Sequence, residues 1–407
     1  MFVNLAHQMP KTPRAIPPLL KSLNERTVLE MIRSDAPISR AEISRRAGIS
    51  KPTVSQALES LLKAGLVREV AHDGDGPSYG AVFFEAVPEA ALILGLDLGA
   101  RFLRGALCDL TGQIRARQDV DVAAGDPDRI LESIAVLGST LVESTGLSSE
   151  RVDTVVIGVP GVVEPSSEGV TLATNVPGLE GRDFRDEASK TLALPVTLEN
   201  DINLAAVAEQ AQGIAQGIDD FAFLSIGTGL GAGIVMRGEI HRGRNGAAGE
   251  LDYVRAGHDD FDPCASALSS LAARMAAERP NETSLTSPYG APAVFAAARR
   301  GDQVARAVVA EEARRIALHI APVASVADIE LVVLGGGIGT NADLLLEPIR
   351  SLLGDWLPYP PRVEVSSLGE AAVLTGALAL GRRAALHNVF VNARPSTSDD
   401  TEVEATV

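Results

Sequence analysis

Cysteine is nearly absent from this chain, which carries only Cys108 and Cys264 among 407 residues. Two thiols cannot build the bridged framework of a small secreted domain, and they fit a reducing compartment. Nowhere does a run approach the ~20 uncharged apolar residues that cross a bilayer. The opening stretch MFVNLAHQMPKTPRAIPP has no continuous apolar segment behind a basic head, so it does not read as a secretory signal. The expected location is the cytoplasm, with no membrane partner. No G-x-x-x-x-G-K-[ST] loop is present either, so that signature of nucleotide binding is missing.

What is present points to several domains. Length over ~150 predicts two or three, and 46% hydrophobic with 22% charged residues describes an ordinary folded body. Charge is divided unevenly along the chain. Residues 1–72 hold eleven Lys or Arg against six Asp or Glu, a balance of +5. The remaining residues hold 25 against 47, a balance of −22, within a net charge of −17. A basic head can approach a polyanion that the acidic body repels.

Residues 1–18 are Pro-rich and without periodicity, as in a loose arm. In 19–88 the pattern changes. Leu20, Leu23, Val28, Leu29 and Ile32 recur at near-helical spacing, which predicts a first helix. Ser39-Arg40-Ala41-Glu42 is an S-x-x-E capping box that opens a second, hydroxyl and carboxylate each satisfying a backbone amide. AGIS at 47–50 makes a turn, Ser50 caps a third helix, Pro52 is tolerated in its first turn, and Gly65 stops it. Residues 66–87 then read as a β-hairpin around a Gly/Pro/Asp-rich tip.

Three helices and a hairpin make a winged helix-turn-helix. Its third helix would present Lys51, Thr53, Ser55 and Gln56 to a major groove, with Arg40, Arg45 and Arg46 near phosphates. A small bundle used for packing or dimerisation is the alternative. Capping box, turn and hairpin in register favour double-stranded operator DNA as the partner.

From Pro88 onward, strands and helices intermix. Residues 91–114 read as strand, glycine turn, strand and second turn, and residues 221–240 repeat that plan, as an internal duplication would. Three strand-to-glycine turns, at Gly99, at Gly227-Thr228-Gly229 and at Gly335-Gly336-Gly337, could aim backbone amides at a phosphate. Gly99, Thr228, Gly229 and Gly336 are thus candidate nucleotide contacts, although a tight hairpin also needs glycine. In LENDINLAAVAEQ (198–210), Asn200 and Asp201 precede an Ala-rich helix. Either could simply cap it. Alternatively Asp201 accepts a proton from a bound hydroxyl while Asn200 orients the substrate. Glu250 could accept hydrogen bonds from sugar hydroxyls or be solvated. Residues 388–407 are polar and acidic, as in a disordered tail.

In this order, the motifs LGLDLG, GVPGVVEP, NVPGLEG, LENDINLAAVAE, LSIGTGLGAGIV, GRNGAAGEL and LVVLGGGI behind a winged helix-turn-helix resemble the ROK family of repressors and sugar kinases. The likeness runs from about residue 22 to 383. It implies an α/β fold: a winged helix-turn-helix, then a duplicated, ribonuclease H-like, two-lobed actin-like ATPase domain over 89–387. Asn200, Asp201 and Glu250 would match the family's sugar-binding and catalytic positions, with Gly161 and Asn175 near the same cleft.

The departures from that family matter as much. Its D-x-G-G-T turn reads Asp97-Leu98-Gly99-Ala100-Arg101 here, a cation replacing a small hydroxyl, which argues against ATP. Tyr253 stands where the family has a histidine that ligates zinc and touches sugar. The family's cysteine cluster aligns with GHDDFDPC, leaving Gly257, Asp259 and Cys264, a poor zinc set. His258, Asp259, Asp260, Asp262 and Cys264 read better as a solvated acidic loop than as an unrelated metal site, and Ser266 replaces a sugar-contacting glutamate. The expectation is a sugar-responsive repressor, homodimeric or homotetrameric, with a sugar or sugar phosphate effector, no metal, no cofactor and no kinase activity. An active ATP-dependent sugar kinase carrying a DNA module is the alternative, and an oligomerisation scaffold a second.

Overall fold

The structure, a computed structural model, describes residues 17–71, 81–122, 126–165, 169–173, 175–176, 178–254 and 261–392. The expected hairpin tip, the run 257–260 and the acidic end beyond 392 lie outside the described residues. The chain forms two compact units, one holding residues up to Ala91 and from Ala385 onward, the other Leu92–Ala384.

The first unit contains α1 (Pro17–Asp35), β1 (Ile38–Ser39), α2 (Arg40–Ala47), α3 (Lys51–Lys63), β2 (Val67–Val70) and β3 (Phe83–Ala86). Its strands form an antiparallel sheet in the order β1-β3-β2. Ser39 caps α2 by accepting the Glu42 N–H, and Ser50 caps α3 by accepting the Thr53 N–H. The capping box is only half built. Glu42 turns its carboxylate outward to Arg45 and Arg46, because two guanidiniums one turn ahead outbid a neutral amide. On α3, Val54, Ala57, Leu58 and Leu61 fall on one face and join Val28, Ile32, Ile43 and Phe84 in a core. Burying each large aliphatic side chain contributes about 1.5–3 kcal/mol.

The second unit begins with β4 (Leu92–Leu98), β5 (Phe102–Asp109), β6 (Ile114–Asp121), α4 (Pro127–Thr145), β7 (Val152–Val159), β8 (Val162–Val163), β9 (Val170–Thr171), α5 (Phe184–Leu192), β10 (Val196–Asn200) and α6 (Asp201–Gln212). It continues through β11 (Phe221–Ile226), β12 (Leu230–Met236), β13 (Glu239–Ile240), α7 (Ala265–Glu278), α8 (Ala291–Arg299), α9 (Gln303–Ala327), β14 (Leu331–Gly335), α10 (Gly336–Gly339), α11 (Ala342–Trp356), β15 (Arg362–Val365) and α12 (Ala372–Asn392), whose residues from Ala385 onward count with the first unit.

Two five-stranded sheets result, ordered β6-β5-β4-β7-β10 and β13-β12-β11-β14-β15. Each starts as an antiparallel meander and then adds two parallel strands, so the repeat read in the sequence is a repeat of topology. The interior strands β4 and β14 are buried along their whole length, which is why they read as apolar runs, broken only by Asp97 in β4. Leu94, Leu96, Ile134, Leu137 and Phe184 fill the first lobe's core, and Leu224, Leu334, Ile316, Ile320 and Leu345 that of the second. Leu204 of α6 packs with Val156 of β7 and Ala377 of α12, fixing α6 against the first sheet. No helix among the described residues is long and apolar enough to cross a membrane.

Candidate functional site

Strand β10 delivers Asn200 to the start of α6, and the side chain there serves two elements at once. Its Oδ1 accepts the Asn203 N–H at 2.9 Å, the helix cap. Its Nδ2 donates to the Gly161 carbonyl at 2.9 Å, on the loop after β7. Asn200 is thus the helix cap, and its second bond ties the Gly161 loop to the start of α6. Asp201 follows as the first helical residue, its Oδ1 accepting the Ile202 N–H at 2.8 Å. It opens onto a cavity of about 360 Å³ lined also by Ser225, Gly336, Gly337, Thr340 and Glu370.

Three carboxyl groups share this region. Burial pushes Asp201 up to about 7, and Asp97 and then Glu250 add to the rise. Burial likewise pushes Asp97 up to about 6, although Arg104 pulls the other way. Glu250 is raised by burial and by Asp252. Like charges gathered away from water each favour the neutral form of the others.

Arg104 is the main counter-charge. Its Nη1 donates to Asp97 Oδ2 at 3.2 Å and its Nη2 to Glu370 Oε2 at 2.6 Å, while the guanidinium lies 3.8 Å over the Phe102 ring. The same ring explains Gly99, where a methyl group would overlap it. Glycine at that turn thus leaves room for the Phe102 ring, which a larger residue would displace. Gly336 has a positive φ of 76° and sits so close to the Ile226 carbonyl that only glycine fits. The second and third glycine turns adjoin, Gly227 lying against the Gly337 N–H; Thr228 is exposed, and Gly229 lies beside the Asp252 carboxylate.

Other expected positions stand apart. Asn175 is exposed, and no contact among the described residues ties it to Asp201. Tyr253 is 63% exposed, one turn beyond Glu250. Asp97, Arg104 and Glu370 went unselected as site residues, yet one signal was available. A hairpin turning at Gly99 sets residue 97 opposite 104, the register observed. Glu370 offered no such signal, since 266 residues separate it from Arg104.

The zinc set implied by the family resemblance can be tested on the donors present. Asp252, Asp262 and Cys264 place one ligand atom each within 4.8 Å of the others. Both carboxylates already accept backbone amides, Asp252 from Leu230 at 2.8 Å and Asp262 from Cys264 at 2.7 Å. Burial and these same carboxylates push the Cys264 thiol far above its ordinary value, so its proton stays and points to Asp252 Oδ1 at 3.5 Å. A zinc ligand must be a thiolate, and closed structural sites take four mainly Cys and His donors. Among the described residues, one thiol and two carboxylates fall short of such a donor set.

In the first unit, Lys51 and Gln56 are exposed on α3 and Arg40 on α2. Ser55 spends its hydroxyl on the Lys51 carbonyl at 2.9 Å, and Thr53 shares its own with Ser50 at 2.8 Å. Arg45 and Arg46 are held by Glu42, and Arg46 also by Asp35 at 2.8 Å.

The geometry defines a class: a winged helix-turn-helix joined to a duplicated, two-lobed α/β domain with carboxylates at the cleft. Residues 93–384 match the ROK family and residues 22–76 the MarR family. The chain belongs to the ROK family. It is 27% identical to a putative xylose repressor of Caldicellulosiruptor sp. (strain Rt8B.4) over 386 residues, covering 89% of this chain and 96% of that one. Among solved structures it resembles a ROK family transcriptional regulator, a homolog of the E. coli MLC protein, at a TM-score of 0.77 and 24% identity, over 92% of this chain and 98% of that one, a likeness of fold. A ROK glucokinase from Streptomyces griseus, solved with glucose and AMPPNP, matches 72% of this chain and 100% of its own at a TM-score of 0.60 and 28% identity.

Proposed function

We propose that this chain is a sugar-responsive transcriptional repressor that binds operator DNA through α3 and a small neutral carbohydrate through the cleft at Asp201. One observation carries the reading: similarity to a putative xylose repressor extends across both the DNA-reading and the cleft-bearing parts, over 386 residues. The chemistry agrees with it. Asp201 already sits in the field of Asp97 and Glu250, so a hydroxyl-bearing, uncharged ligand suits the cleft better than a phosphate. Asp201, which opens onto the cavity, supplies a carboxylate oxygen to a ligand hydroxyl, and Asn200 holds the start of α6 in place beside it.

Kinase action is the reading set aside. Phosphoryl transfer draws nearly all its rate from charge positioned around nucleotide and metal, and here Arg104 occupies Asp97 while Arg101 replaces the small hydroxyl expected at the phosphate turn. A repressor needs only a ligand that prefers one state of the protein over another. Binding as a two-fold symmetric dimer to a palindromic operator follows from the use of one recognition helix per chain. A mobility-shift titration with an operator fragment and a panel of pentoses, hexoses and sugar phosphates tests the reading. Release of DNA by a neutral sugar is the expected result; no shift in operator affinity with any of them overturns it.

A further inference from the structure

The segment holding Asn200 and Asp201 belongs to the first sheet, whereas the loop holding Glu250 leaves the second, and one ion pair joins them. Arg242 opens that loop two residues beyond β13, and the Ala248 N–H closes back on the Arg242 carbonyl at 3.2 Å. Its Nε and Nη2 both donate to Glu199 Oε2, at 2.8 and 2.6 Å. The other oxygen of Glu199 faces the opposite way. Oε1 accepts the Asn200 N–H at 3.0 Å and the Asn203 side-chain amide at 2.9 Å.

Exposure shows what the pair does. The Glu199 side chain is 4% exposed and that of Arg242 41%, so a guanidinium reaches in from the surface to a carboxylate with no other cation on it among the described residues. A buried carboxylate that loses such a partner is left with an uncompensated charge and must move or take up a proton. The first groups to feel that movement are the Asn200 amide and the Asn203 side chain, which fix the start of α6. Asn200 in turn holds the Gly161 loop. One guanidinium thus braces both walls of the cleft without touching its contents.

Resting on the sugar-effector reading, we infer that Arg242 is a positioning residue for that ligand: through Glu199 it holds Asn200 and Asp201 in register with the Glu250 loop, so carbohydrate affinity depends on a side chain outside the cleft. This is the logic of a supporting shell that orients the groups making contact.

Calorimetric titration of the full chain with a panel of pentoses, hexoses and N-acetylhexosamines tests it. Arg242→Ala should weaken the sugar that wild type binds by about ten-fold or more, Arg242→Lys by less, and Glu199→Gln should resemble Arg242→Ala. The double variant Glu199→Gln/Arg242→Ala should bind no more weakly than the worse single one, because both remove the same link. A purely structural role would lower the melting temperature without this non-additive loss of affinity. Wild-type affinity in Arg242→Ala, or losses that simply add, overturns the inference and leaves the effector reading standing. Where the alanine variant fails to fold, undiminished affinity in both Arg242→Lys and Glu199→Gln overturns it. If wild type binds no member of the panel, both fall together.

Discussion

Asp97 on β4 and Arg104 on β5 stand opposite one another across the first hairpin, with Nη1 donating to Oδ2 at 3.2 Å. The Arg104 side chain is only 15% exposed and also reaches Glu370, so while this pairing holds Asp97 is engaged and not free for a metal-bound nucleotide. Incubated with magnesium, ATP and a hexose panel, the purified protein should release ADP no faster than a sugar-free control in a coupled assay. Brisk turnover abolished by Asp201→Asn would contradict this and restore the kinase reading.

On the DNA-reading unit, the side chains of α3 divide into free and occupied. Lys51 is exposed at the first helical position, and Lys51→Ala should weaken operator and random duplexes alike, lowering the salt dependence of log K by about one. Gln56→Ala should instead relax preference at one base pair, by about 1–3 kcal/mol. Ser55→Ala should matter less, since that hydroxyl already serves the helix backbone. Fluorescence anisotropy at several salt concentrations separates these effects. Equal loss on all sequences from Gln56→Ala would remove it from base reading.

Much of this was legible before any coordinates. The three-helix head followed from two serine caps and one apolar face, all local signals. The repeated meander followed from two glycine-punctuated apolar runs, since strand pairing through a short turn leaves register little choice. Less visible were α7 to α9, where Ala-rich stretches carry weak periodicity and Pro322 lies inside α9. The cleft was half legible. Asn200 and Asp201 announce themselves at a strand-to-helix junction, but the cations that tune the cleft, Arg104 and Arg242, find partners that only tertiary structure brings near. Glu42 shows the converse: its capping motif is local and clear, and two equally local arginines claimed the carboxylate, holding it down to about 2.

Sugar binding should depend on pH through Asp201. Its folded-state value of about 7 lies above the ordinary 3.8, so the ligand-free fold keeps a proton there that the unfolded chain sheds, and this site's contribution to stability falls as pH rises from about 4 to 7. A ligand hydroxyl that donates to the carboxylate reverses that preference. Affinity should therefore rise about ten-fold between pH 6 and pH 8, with proton release on binding, because each unit below the pKa costs about one factor of ten. Asp97 and Glu250, both raised, act in the same direction. Calorimetry in two buffers of different ionisation heat reads the proton directly. Affinity flat across this range would show that the ligand does not distinguish the two protonation states of Asp201, and affinity falling as pH rises would show that Asp201 meets it as a neutral acid.

The joint at Cys264 should be independent of metal. Backbone amides and the thiol proton already engage Asp252 and Asp262, which leaves this cluster with little donor capacity for a metal. Overnight EDTA should leave the melting temperature unmoved, and Cys264→Ser should keep operator binding. Elemental analysis finding one zinc per chain, or a chelator-induced fall of several degrees, would contradict the donor chemistry.

Glu312 on α9 gives the sharpest stability test. The side chain is fully buried, neither carboxyl oxygen has a hydrogen-bond partner among the described residues, and burial pushes it up to about 8 despite Arg315, with Asp262 and Glu311 adding to the rise. The folded value lies above the unfolded 4.5, so between those limits the folded state binds the extra proton and stability declines as pH climbs. Glu312→Gln keeps the shape and removes the charge. It should match wild type near pH 4 and below, where the side chain is neutral in the folded chain and largely so in the unfolded one, and exceed it by on the order of 2 kcal/mol or more at pH 9, where wild type must bury a carboxylate or deform. Urea unfolding at the two pH values measures the difference. A variant less stable than wild type at pH 9 would mean that the ionised carboxylate has a partner holding it in place.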